Sequence, residues 1–171
     1  MSLPESYKLI AVSPDSDDMI VETLEFFHAS WSGPIRICTL VNGVTATLEA
    51  TAPRNPSTAV FFDGVNFKFN RPSKGDRGAQ SVQITLPNVA RVTSARIKVA
   101  VQDGGIIECI WRTFLYSDLT APQIDPPPTF EIYRCSVTPF EIRLDSSFFN
   151  YLNKPVSSRY YSDETSPGLV R

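Results

Sequence analysis

The chain has 171 residues, 42% of them hydrophobic and 20% charged, with a formal net charge of -2. That length suits one domain with one sizeable core, and the composition excludes the disordered and fibrous classes. Lys and Arg are scattered, so the basic stripe that nucleic-acid binders use is missing, and no nucleic-acid partner is expected.

In chain order, the opening stretch MSLPESYKLIAVSPDSDD has no apolar segment of the signal-peptide kind, and no run reaches the ~18 apolar residues of a membrane span. The expectation is a protein made in the cytoplasm, unsecreted and without membrane insertion. Asp15, Asp17 and Asp18 stand in a Ser/Pro-rich loop. Their spacing lacks the remaining oxygens of a calcium loop, so a solvated charge run is the plain reading. Met19 to His28 (MIVETLEFFH) fits helical spacing through Ile20, Leu24 and Phe27. It also fits a strand, with Ile20, Leu24 and Phe26 on one face and Val21, Thr23 and Phe27 on the other; the β-branched and aromatic content favours the strand.

SWSGP (Ser30 to Pro34) signals a turn, and a second strand from Ile35 completes a hairpin. VTATLEA (Val44 to Ala50) predicts a third strand, ended by the prolines of TAPRNPS. AVFFDGVNFKFN (Ala59 to Asn70) reads as a hairpin turning at Asp63-Gly64, a dipeptide that tolerates the positive φ of a tight turn. RPSKGDRG (Arg71 to Gly78) is a polar loop, and SVQITLPNV alternates Val82, Ile84 and Leu86 as a half-buried strand. A short helix is expected around Ala90 to Ala95. IIECIWRTFLYS (Ile106 to Ser117) is a strand with Ile106, Glu108, Ile110 and Arg112 on one face and Ile107, Cys109, Trp111 and Thr113 on the other. Two more strands follow in TFEIYRCSVTPFEIRLDSS, then a turn or short helix at FFNYLN. About eight short strands predict an all-β, β-rich fold, a single-domain sandwich or barrel over residues 1–153, with an extended C-terminal arm over 154–171.

Candidate chemistry is sparse. His28 is the single histidine; a His-based metal site needs more ligands, and a partly exposed strand residue is the plain reading. A His28–Cys38 dyad is arithmetically open but has no nucleophile context. Cys38, Cys109 and Cys135 sit in apolar strand settings and read as small hydrophobes. Asp163 and Glu164 form a second acidic pair. Phosphate cradles and nucleophile elbows are lacking, so no catalytic residue, metal or cofactor is assigned.

The proline segment PQIDPPP, inside a loop spanning 118–129, carries more information. Each proline removes a ladder donor and fixes φ, so the segment is extended and outside a central sheet. A cut there leaves too few residues downstream for an independent domain. It therefore reads as a stiff excursion within one domain, exposed at an edge, with Pro122, Pro126, Pro127 and Pro128 as candidate contacts. In the arm, Arg159, Tyr160, Tyr161, Pro167 and Leu169 are the other interface candidates, Tyr being common at interfaces.

Taken together, MIVETLEFFHASWSGPIRICT, VTATLEA, FFDGVNFKFNRP, VQITLPNV, YSDLTAPQIDPPP and the closing SRYY with PGL resemble a domain-of-unknown-function family of siphophages with lambda-like tail tips. The hairpin region is also similar to the N-terminal part of the lambda tail-tip protein L. The cysteine-rich extension associated there with an iron–sulfur cluster has no counterpart here, so no cluster is expected. The resemblance implies a structural virion protein of the bacteriophage tail tip or baseplate, needed for tail assembly. Its implied partners are the central hub or tail-fibre protein, the distal tail protein and other tip proteins, and it would form a homotrimer around the tail axis. The alternatives left open are an assembly factor absent from the mature virion and an envelope-degrading hydrolase.

Overall fold

The computed structural model describes residues 8, 18–70, 81–87, 95–97, 99–100 and 106–148. Among the described residues nine strands form one sheet: β1 (Ile20–Phe27), β2 (Ile35–Cys38), β3 (Val44–Thr47), β4 (Ala59–Gly64), β5 (Lys68–Asn70), β6 (Ser81–Pro87), β7 (Ile107–Leu115), β8 (Thr129–Val137) and β9 (Glu141–Phe148). Their order is β3-β4-β2-β1-β7-β8-β9-β6-β5. The expected all-β architecture is what the chain adopts. All pairs are antiparallel except β2 with β4.

Alternation along β1 and β7 gives the middle of the sheet two different faces. Leu24 and Phe26 of β1, with Cys109 and Trp111 of β7, join a first core that takes in Val82, Ile84 and Leu86 of β6 and Ile142 and Leu144 of β9. Val21 and Phe114, on the opposite face, join a second core with Val44, Ala46, Val60 and Phe62 of the β3–β4 ribbon. The first core is enclosed because the sheet curls. In hydrogen-bonding order β5 lies four strands from β7, about 19 Å away if the sheet were flat. Yet Phe69 of β5 stacks on Trp111 of β7 with ring centroids 4.9 Å apart. β5 therefore folds back over the face of β7, and the helical residue Ile97 is buried in the same core.

The hairpin expected at Asp63-Gly64 is not formed. β4 and β5 stand near opposite ends of the strand order. Asp63 and Gly64 continue β4 and pair in parallel with Ile37 and Cys38. Glycine is needed there for close approach: a Cβ at Gly64 would lie 2.1 Å from the Val41 carbonyl oxygen. The chain then changes faces, Phe62 entering the second core and Phe67 the first. The partner of β4 is β3, across the proline-containing loop that was expected only to end a strand. Of the short helix expected around Ala90 to Ala95, Ala95 is helical, as are 96–97 and 99–100, while residues 90–94 fall outside the described residues.

β7 and β8 pair with each other, so the proline segment is a connection within one sheet, as expected. It is more firmly held than an exposed excursion. The Pro128 carbonyl accepts from Trp111 N–H at 3.0 Å and the Thr113 carbonyl accepts from Gln123 N–H at 2.8 Å, which continues the β7 edge past the end of β8. The Leu119 carbonyl accepts from Thr47 N–H of β3 at 2.8 Å. Leu119 packs on the second core and Ile124 on the first. Pro126 is exposed; Pro122, Pro127 and Pro128 are half-buried.

Candidate functional site

Two polar constellations stand out. The first follows from strand register. Glu25 of β1 lies directly opposite Arg36 of β2, and Arg112 of β7 lies opposite Thr23, diagonal to Glu25 on the same face. The β3–β4 loop folds over this face, tied by Leu48 N–H to the Thr58 carbonyl at 3.1 Å and by Ser57 N–H to the Glu49 carbonyl at 3.2 Å. It brings Glu49, Arg54 and Asn55 down onto the sheet. Arg112, fully buried, donates from Nε and Nη2 to the two carboxylate oxygens of Glu49, both at 2.8 Å, and from Nη1 to Glu25 at 3.3 Å. Arg36 Nε donates to Glu25 at 3.1 Å and Arg36 Nη2 to Asn55 at 2.8 Å. Arg54 reaches Glu25 at 3.5 Å, bonds Glu108 and covers the Phe27 ring at 3.6 Å.

Three carboxylates thus meet three guanidiniums, and the cluster is charge-balanced. Bidentate guanidinium–carboxylate geometry is directional as well as strong. Both Glu25 oxygens and both Glu49 oxygens are occupied, so these carboxylates are engaged in fixing the loop.

The second constellation sits where the β1–β2 turn meets the helical residues. Ser30, Trp31 and Ser32 line one side of an open groove of about 580 Å³, and Ala95, Arg96 and Val99 line the other. Behind it, His28 is buried at 4% exposure, which corrects the partly exposed strand position expected for it. Its Nδ1 accepts from the Ser30 N–H at 3.2 Å and lies 2.7 Å from the Ser30 hydroxyl, so Nε2 is the hydrogen-bearing nitrogen. His28 Nε2 and Trp31 Nε1 are both buried without an acceptor among the described residues; the two rings lie 5.9 Å apart. Each such donor costs about 1–3 kcal/mol if it stays unsatisfied.

The other candidates are dispersed. Cys38 is buried opposite Thr23, five residues along β1 from His28 and so about 17 Å away at strand rise. The His28–Cys38 dyad is not assembled. The Cys38 thiol contacts the Leu40 and Phe62 carbonyls at 3.6 Å each, and burial raises its pKa. Cys109 is buried and Cys135 half-buried; burial raises both thiols. Asp18 accepts from the Met19 N–H at 2.9 Å and from the Ser117 N–H at 3.0 Å, and from the Ser117 hydroxyl, joining the start of β1 to the end of β7. Those bonds hold its carboxyl below the ordinary range, the Ser117 hydroxyl contributing most. No three potential ligands cluster as a metal site among the described residues. Asp15, Asp17, Arg159, Tyr160, Tyr161, Asp163, Glu164, Pro167 and Leu169 lie outside the described residues.

Sequence reasoning passed over Glu25, Glu49 and Arg112, and also Trp31 and Arg96. A local signal did exist for the first group: TLEFF and CIWRTF each place one charge inside an apolar run, where a buried ion needs a partner. No curated protein matches the chain. A family model matches residues 7–161, and by that match the chain belongs to the family described as Domain of unknown function (DUF1833).

Proposed function

We propose that the chain is a structural subunit of a phage tail tip or baseplate, set between the end of the tail tube and the central hub, in three copies around the tail axis. The observation that carries this reading is the proline segment. YSDLTAPQIDPPP is among the most specific parts of the resemblance to the siphophage family, and it is strapped to β7 and β3 by main-chain bonds while Pro126 faces outward. A stiff, pre-ordered loop loses little entropy on meeting a neighbour. Large apolar side chains are also left in the open, Val41, Phe61, Tyr116, Tyr133 and Phe140 among them, and each is available for contact with a neighbouring subunit. The internal charge clamp suits a part that must hold one shape under load rather than turn over a substrate.

The test is electron microscopy of lysates from a phage lacking this gene. Filled heads without tails are expected, because the tube grows from the tip. Complete but non-infectious particles would refute the hub position. Mass spectrometry of purified virions that finds no trace of the chain would instead identify an assembly factor.

A further inference from the structure

We propose that the groove between the β1–β2 turn and the helical residues Ala95, Arg96 and Val99 binds an acidic side chain carried on an extended, apolar segment of a partner protein. The inference rests on the groove alone and does not depend on the tail-tip reading.

Two buried N–H donors lie beside the groove and one exposed guanidinium lines it, and none has an acceptor among the described residues. Trp31 lines the groove, and its indole N–H is a donor only. His28 packs against Trp31 and carries its hydrogen on Nε2, because Nδ1 already accepts from the Ser30 main chain. Neither nitrogen has a partner among the described residues. Arg96 lines the opposite side, is exposed, and forms no ion pair among the described residues. A region rich in N–H donors, with one cation that has no ion-pair partner among the described residues, is complementary to an anion such as a carboxylate.

The rest of the lining selects what bears that carboxylate. The Trp31 ring, Ala95 and Val99 offer apolar contact, and Val99 is half-exposed. Ser30 and Ser32 add hydroxyls that can bond a main chain. The groove is open to solvent, so an extended segment can lie along it. Because the two nitrogens are shielded from solvent, a ligand reaches them only if the Trp31 ring moves. That motion converts two unsatisfied donors into bonded ones, which offsets its cost.

The test uses the full chain, 15N-labelled, with the blocked tripeptide acetyl-Leu-Glu-Leu-amide, its Leu-Gln-Leu twin, and sodium acetate as probes. The chain has two tryptophans, and Trp31→Phe assigns their indole signals. The Glu peptide should shift the Trp31 indole N–H and saturate with a dissociation constant on the order of 1 mM. The Gln twin should bind about tenfold more weakly, and Arg96→Met, an exposed change that leaves the fold intact, should cost about tenfold as well. An unmoved Trp31 indole, equal binding of both tripeptides, or full affinity in Arg96→Met overturns the proposal. Acetate binding as tightly as the Glu peptide would also overturn it, leaving a small-anion site.

Discussion

Replacing Glu49 by alanine removes both acceptors of the bidentate Arg112 pair and leaves that buried guanidinium with Glu25 alone. The perturbation is therefore an uncompensated buried positive charge rather than a lost surface contact. Breaking a buried pair from one side costs about 3–5 kcal/mol, because desolvation of the survivor is no longer answered. For a chain of this size each kcal/mol moves the melting temperature by about 2–4 °C, so a fall of about 6–20 °C is expected. The decisive comparison is Glu49→Ala/Arg112→Met. It removes one charge of each sign and leaves Glu25 and Glu108 facing Arg36 and Arg54. The double variant should be more stable than Glu49→Ala by at least about 1 kcal/mol, a non-additivity expected of groups in direct contact. Guanidinium chloride unfolding followed by tryptophan fluorescence measures wild type, Glu49→Ala, Arg112→Met and the double variant, with an unchanged denaturant slope confirming a common transition. A loss below about 1 kcal/mol in Glu49→Ala, or simple additivity in the double variant, would refute the clamp.

Gly64→Ala should destabilise by about 1–3 kcal/mol or more, since its Cβ meets the Val41 and Leu40 carbonyl oxygens at 2.1 and 2.4 Å; a neutral result in denaturant unfolding would mean the turn moves freely. Native protein treated with iodoacetamide near neutral pH should take up a single adduct, at half-buried Cys135, while denatured protein takes three; intact-mass analysis decides, and equal labelling of Cys38 or Cys109 would contradict their burial. Asp18 has a folded-state pKa below its unfolded one, so its contribution is present above the ordinary carboxylate pKa of about 3.9 and lost as pH falls through the lower folded value. Asp18→Asn should therefore lie below wild type in stability at pH 6 and approach it in strong acid; a constant gap across a pH series of thermal melts would show that the Ser117 bonds do not depend on ionisation.

The fold was legible where local pattern sufficed. β1, β2 and β6 to β9 announce themselves by alternation and by the turns between them. The Asp63-Gly64 reading failed because a dipeptide that permits a tight turn also permits close backbone approach, and only the distant turn at Leu40–Val41 shows which use was made. Curling was equally invisible: the contact of Phe69 with Trp111 depends on the order of five strands. The clamp belongs to the same category. Arg112 is 63 residues from Glu49 and 87 from Glu25, so its charge reads as a strand's polar face until register is known. Alternation alone places His28 at a partly exposed end of the first strand, yet it is buried. The chain turns at Ser30 and Trp31, covering the ring.

The position of the clamp has its own logic. The face shared by β1 and β7 is divided lengthwise. Val21 and Phe114 are covered by the β3–β4 ribbon, whose Val44, Ala46, Val60 and Phe62 supply apolar area. Glu25 and Arg112 are covered by the loop between those strands, which buries little apolar surface beyond Leu48 and Ala52. Burial alone is non-directional and would hold such a loop loosely. Two parallel guanidinium bonds fix one arrangement, at a desolvation cost that an apolar substitute would avoid. The clamp therefore contributes geometry more than stability, and Glu49→Ala/Arg112→Met separates the two. Amide exchange across 49–58 should quicken in that variant while the β7 core stays protected, since local opening follows local contacts. Unchanged exchange in the loop would mean that its main-chain bonds at Glu49, Asn55 and Thr58 already suffice.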